Sequence, residues 1–190
     1  MRRLLLVRHG ESVWNATPRL QGHDRGLAQT DALAPLVARM VPDHVRTSDL
    51  QRALATADRL GHAYAVPAPR LREIGVGDWT GSEIAALDPA TYQDWRAGTF
   101  APPGGYVWAD FRTRVCAAVT DIAMQGHGTV LFVCHGGVIR ALIDGGPGLP
   151  PARLLPVGPA SLTVIGFRQG QARFAAMSGT ADGLSLDAPD

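Results

Sequence analysis

The chain has no lysine: all 18 of its basic residues are arginine, and with 17 acidic residues the formal net charge is only +1. That excludes a broad basic field of the kind that holds nucleic acid. It also means that finding arginine at a given site says little about bidentate recognition, because no other cation is used anywhere. Cysteine is scarce as well. Cys116 and Cys134 stand in apolar surroundings without CxxC spacing, which fits buried free thiols in a reducing compartment and not a disulfide framework. Long apolar runs are missing: "LLLV" follows "MRR" near the start, but it is far too short for a signal segment or a membrane span, and Arg8 ends it. The expectation is a cytoplasmic protein that binds neither nucleic acid nor membrane.

What is present suits one ordinary domain over residues 1–190. The chain is 46% apolar and 18% charged, enough to bury a single sizeable core and too apolar for disorder. Residues 3–8 read as a strand buried on both faces. From Leu27 to Met40, Leu33, Leu36, Val37 and Met40 recur at helical spacing, with Pro35 placed to kink or restart the helix. "HVRTS" (44–48) reads as a second strand, and "DLQRALATADRLG" (49–61) as a helix with Asp49 at its start and Gly61 at its end. Residues 63–82 are rich in Pro and Gly and read as mostly irregular. One or two short helices are expected over 83–98 and a longer one over 107–124. "TVLFVC" (129–134) is the strongest strand. "HGGVIRALID" follows it as a turn into a helix, and "SLTVIGF" with "ARFAAMS" reads as a hairpin. The last twelve residues, "GTADGLSLDAPD", have the composition of a flexible acidic tail.

Strands alternating with helices predict a three-layer α/β/α sandwich around a mostly parallel sheet, in which ligands gather at the C-terminal strand ends. Arg8-His9-Gly10 and Cys134-His135-Gly136-Gly137 both fall at such ends, each ahead of a helix whose free N–H groups suit an anion. Taken singly, His9 is ambiguous between a reacting group and a structural histidine, while His135 reads more readily as a capping or core histidine, Arg52 as a solvated helix residue and Glu73 as an exposed loop carboxylate. Their joint placement argues for chemistry.

Four stretches in order, "LLLVRHGESVWN", "TSDLQRALATA", "LREIGVGDWTG" and "LFVCHGG", resemble the signatures of the histidine phosphatase superfamily, in its phosphoglycerate-mutase-like branch 1. The resemblance spans residues 3–140 and implies the roles that follow. His9 is the nucleophile that becomes phosphorylated, and Arg8, Arg52 and His135 hold the phosphoryl oxygens, where charge spreads in the transition state. Glu73 is the acid that protonates the leaving oxygen. Asn15, Gln21, Gly22 and Gly136 line the phosphate and substrate pocket. No cofactor and no metal are implied. The residues themselves agree, since His9, Glu73 and His135 lack the short spacing of a zinc motif and two neighbouring arginines repel a cation. A homodimer is a family-level expectation.

The sequence also departs from the family. Where P-G-G-E-[ST] is usual it has "PPGGYVW", which puts Tyr106 and Val107 at the pocket mouth, with Tyr106 placed to stack on or hydrogen-bond to the leaving group. The "D-x-P-L-T" loop becomes "DRGLAQTD" at 24–31, and Pro159 stands where Asn is common. The segment between Gly81 and Gly105 is short. It resembles that of short bacterial phosphatases such as the α-ribazole phosphatase type more than that of the longer mutases, and an open site admits water. The expected activity is therefore metal-independent hydrolysis of a small phosphorylated metabolite through phospho-His9. A cofactor-dependent phosphoglycerate mutase and an inactive phosphate-binding module are the alternatives.

Overall fold

The apolar run near the start forms β1 (Arg2–Arg8), the middle strand of a seven-stranded sheet. In the computed structural model, residues 2–10, 22–124, 128–168, 171–180 and 183–184 are described. Successive residues of β1 serve opposite faces: Leu4 and Leu6 pack into one apolar cluster, Leu5 and Val7 into another. Strand side chains alternate, so a continuous apolar run is what a strand covered on both faces requires.

The helices supply those covers. One face carries α1 (Gly22–Arg39), with Leu33 and Val37, and α2 (Gln51–Arg59), with Ala53 and Ala57. The other carries α4 (Trp108–Met124), through Phe111, Val115 and Val119, and α5 (Gly136–Gly145), through Val138, Ile139 and Ile143. Between α2 and α4 the chain makes a two-residue strand β3 (Val66–Pro67), three one-turn helices, and α3 (Pro89–Ala97). α3 starts where Asp88 accepts from the Thr91 N–H at 2.8 Å and ends at Gly98, whose φ of 79° suits glycine. A side chain at Gly98 would strike the Trp108 ring.

The sheet is mixed. With β2 (His44–Thr47), β4 (Thr129–Cys134), β5 (Leu162–Arg168), β6 (Gln171–Thr180) and β7 (Gly183–Leu184), the order is β3-β2-β4-β1-β5-β6-β7. β1 to β4 are mutually parallel, and the predicted hairpin of β5 and β6 adds an antiparallel half. The three expected layers are present, with antiparallel pairing extending the parallel half of the sheet.

Three boundaries differ from expectation. α1 begins five residues before Leu27 and runs past Pro35 as one helix. Asp49 does not cap α2: Leu50 holds the cap position without a side-chain bond, and the Asp49 carboxylate binds Arg72 at 2.6 Å. Of the expected flexible tail, Gly179 and Thr180 pair with Leu184 and Gly183, and the rest lies outside the described residues.

Strand register places the site. Arg8 lies opposite Cys134 and Thr47 opposite Val133, while the His9 N–H reaches the Cys134 carbonyl at 3.0 Å and the Ser48 N–H the Val133 carbonyl at 2.9 Å. His9, Ser48 and His135 therefore leave three adjacent parallel strands at one level.

Candidate active site

At that level opens a cavity of about 840 Å³, lined by Arg8, His9, Arg52, Glu73, Gly136 and Gly137 among others. His9 lies buried against it. Its Nδ1 lies 2.7 Å from the Gly10 carbonyl, which only accepts, so Nδ1 carries the proton and Nε2 the lone pair. Arg52 Nε donates to that Nε2 at 3.2 Å. Burial, helped by the Arg8 and Arg52 charges and opposed by the Gly10 carbonyl, lowers the His9 pKa to about 4, so the imidazole is neutral at pH 7. The flanking cations also disfavour the imidazolium, but burial is the larger cause.

Gly10 is itself held. Its N–H donates to Thr56 Oγ1 at 3.1 Å, and the Thr56 hydroxyl donates to the Arg52 carbonyl at 2.8 Å. From the other side, the Ala160 N–H binds the His9 carbonyl and the Arg8 N–H binds the Ser161 carbonyl, both at 3.1 Å. Arg8 also donates from Nη1 to the Val157 carbonyl.

His135 is fully buried at the start of α5, its ring centroid 5.1 Å from that of His9. Its Nε2 lies 2.8 Å from Ser48 Oγ, and its Nδ1 is buried without a partner among the described residues. Burial first, then repulsion from the His9 ring when protonated and from the Arg52 and Arg8 charges, lowers its pKa to about 2, so His135 too is a neutral imidazole.

Glu73 approaches from the long crossover. One carboxylate oxygen accepts from the Ile74 N–H at 2.9 Å, the other from the Gly137 N–H in the first turn of α5 at 3.0 Å. A Cβ at Gly137 would collide with this carboxylate, so glycine is what lets the carboxyl lie on the helix end. The loop that carries Glu73 is braced by Arg114 of α4, which donates to the Arg70 carbonyl at 2.7 Å and the Arg72 carbonyl at 3.0 Å.

The structure thus brings Arg8, His9, Arg52, Glu73 and Gly136 to one cavity, with His135 against His9 beneath it. Gly22 is the first residue of α1, and Asn15 and Gln21 lie outside the described residues. Tyr106 is not among the lining residues. It is 55% exposed, packs its ring over Gly75 and lies 5.8 Å from the Arg114 guanidinium. No group of three or more His, Cys, Asp or Glu side chains suited to a metal occurs among the described residues.

The sequence profile of the histidine phosphatase superfamily (branch 1) matches residues 4–180. The chain belongs to that superfamily. It is 36% identical over 171 residues to a glucosyl-3-phosphoglycerate phosphatase of Mycolicibacterium vanbaalenii, covering 79% of this chain and 76% of that one. To a probable phosphoglycerate mutase of Yersinia enterocolitica it is 33% identical over 187 residues, covering 89% and 86%. A mycobacterial glucosyl-3-phosphoglycerate phosphatase solved with VO3 superposes with a TM-score of 0.82 at 31% identity, covering 94% of this chain and 99% of the other.

Within this histidine phosphatase, several residues of the site were not singled out from sequence. Thr56 and Ser48 sit inside the quoted stretch "TSDLQRALATA", and their signal was a hydroxyl among otherwise apolar buried positions. Trp79 sits inside the quoted stretch "LREIGVGDWTG", and it lines the cavity with Trp95 and Arg140, which none of the four signature stretches contains.

Proposed function

We propose that the protein is a metal-independent phosphatase that hydrolyses a phosphomonoester through a phosphohistidine on His9. The observation that carries this reading is the state of His9: buried, neutral, its proton fixed on Nδ1 by Gly10, its Nε2 lone pair turned to the guanidinium of Arg52. That is a nucleophile beside a donor for the oxygens it attacks.

In the first step Nε2 bonds to phosphorus as the ester P–O bond breaks, and the Glu73 carboxyl gives its proton to the departing oxygen. In the second, water attacks phospho-His9, its proton returns to the Glu73 carboxylate, and the P–N bond breaks to free phosphate and the imidazole. Arg8, Arg52 and His135 serve the equatorial oxygens throughout. Removing one such donor costs about 3–4 kcal/mol of barrier, on the order of a hundredfold or more in rate.

The similarity to a probable phosphoglycerate mutase supports a second reading, in which the phosphoryl group returns to the substrate. A panel of phosphorylated metabolites, scored for both free phosphate and isomer, separates the two. Free phosphate is expected, unaffected by EDTA, with an acid-labile phosphoenzyme trapped in wild type and absent in His9→Ala. Isomer without phosphate would establish the mutase instead.

A further inference from the structure

Beyond the phosphate end, the cavity is much larger and more aromatic than a three-carbon ester needs. Its volume of about 840 Å³ lies near the top of the ~300–1,000 Å³ range that encloses drug-sized ligands. Three of the chain's four tryptophans, Trp79, Trp95 and Trp108, line it. Trp79 and Trp95 meet edge to face with centroids 6.0 Å apart, and Tyr92 lies 5.6 Å from Trp95, so these rings brace one another into a fixed wall. Ile84 and Leu87 continue the wall, and Ile84 is 49% exposed although it is apolar and faces the cavity. Trp79, Ile84, Leu87, Tyr92 and Trp95 all come from the crossover between β3 and α4, which adds no strand to the sheet.

Charge narrows the occupant. An aromatic wall suits a quaternary ammonium group, but among the described residues the charged lining is Arg8, Arg52, Arg96 and Arg140 against Glu73. Arg140 already lies 5.5 Å from the Trp108 ring centroid, so that face holds a cation of the protein's own.

We infer that Trp79, Ile84, Leu87, Tyr92 and Trp95 form a leaving-group platform, and that the substrate is a phosphomonoester whose leaving group is larger than three carbons, offers a flat apolar face and carries no positive charge. The inference rests on the phosphatase reading and adds to it the class of ester cleaved.

The test compares phosphate release from propyl phosphate, 3-phenylpropyl phosphate and phosphocholine. The first two release primary alcohols of the same leaving ability, so their ratio reports contacts beyond the third carbon. The full-length protein is expected to show kcat/KM at least tenfold higher for 3-phenylpropyl than for propyl phosphate, with phosphocholine no better than propyl. Trp79→Ala should bring the ratio to within threefold. Ile84→Ser, at a half-exposed position that does not hold the core, should lower the ratio in the same direction should the tryptophan variant not fold. A wild-type ratio within twofold, or a preference for phosphocholine, overturns the platform while leaving a working phosphatase. A folded protein that frees phosphate from none of the three overturns the phosphatase reading and the platform together.

Discussion

Thr56 joins the two elements that carry His9 and Arg52. Its hydroxyl gives its proton to the Arg52 carbonyl and takes the Gly10 N–H, and the Gly10 carbonyl in turn fixes the His9 proton on Nδ1. Thr56→Val keeps the shape and removes both bonds, leaving the buried Gly10 N–H without a partner at a cost of about 1–3 kcal/mol in stability. A peptide unit no longer tied also lets the imidazole drift from its tautomer and aim, so kcat should fall by about tenfold, with Thr56→Ser restoring most of it. Urea unfolding and steady-state kinetics on the three proteins check this. A valine variant that loses stability but keeps wild-type kcat would reduce Thr56 to a structural role. Much of the site at this scale was legible because its chemistry is written in short stretches: a strand end followed by Arg-His-Gly, or by Cys-His-Gly-Gly, can be read locally. Ser48 and the Gly137 N–H were not, because their partners His135 and Glu73 are 87 and 64 positions away.

At the scale of elements, α1 ends badly. Val41 follows it with φ 46°, a left-handed conformation that a β-branched residue adopts only at a cost, while its N–H closes the helix on the Ala38 carbonyl at 3.2 Å. The side chain is 73% exposed and contributes little packing. Relief of about 1–2 kcal/mol of backbone strain should outweigh the extra chain entropy of glycine, so Val41→Gly is expected to stabilise the fold by about 1 kcal/mol. A rise in the urea midpoint at unchanged slope checks it, and a lowered midpoint would contradict it. The spacing that ends at Met40 placed this end to within a residue, whereas the start of α2 was hidden in the sequence by tertiary competition. Asp49 reads as a cap but is drawn off by Arg72, 23 residues on, and no helix period predicts that partner. Strands were plainer. "LLLV" and "VLFVC" are apolar throughout because both faces are covered, which marks them as interior strands but says nothing of their order. The aromatic wall was illegible for the opposite reason: Trp79 and Trp95 lie in separate short helices and meet only once the crossover has folded back.

At the scale of the whole molecule, the neutral histidines tie activity to acid stability. His9 is 4% exposed and His135 fully buried, and their pKa values of about 4 and about 2 lie below the ordinary value of 6.5. His62 is shifted in the same direction by burial. When the chain unfolds these groups regain ordinary affinity for protons, so between pH 6.5 and about 4 the unfolded state binds more protons than the folded one. Stability is therefore full above pH 6.5 and falls as pH falls, by up to about 1.4 kcal/mol per pH unit for each fully shifted histidine. His9 stops contributing to the slope below about pH 4, and His135 continues to about pH 2. The carboxylates with shifted affinity among the described residues do not confound the upper part of this window. Asp49, lowered chiefly by its Arg72 hydrogen bond, and Asp88, lowered by Thr91, lose stabilisation only near and below the ordinary carboxylate range of about 4. Going from pH 7 to pH 5, the free energy of unfolding should drop by on the order of 3–4 kcal/mol, a large share of a typical domain's total. Urea titrations at half-unit pH intervals measure this directly. His135→Asn removes one of the two most strongly shifted groups and should reduce the slope between pH 6.5 and 5 by about a third to a half, whatever its effect at pH 7. A wild-type midpoint that stays level from pH 7 to pH 5 would mean that both imidazoles accept protons freely in the folded protein, and the neutral nucleophile at the centre of the proposed reaction would go with it.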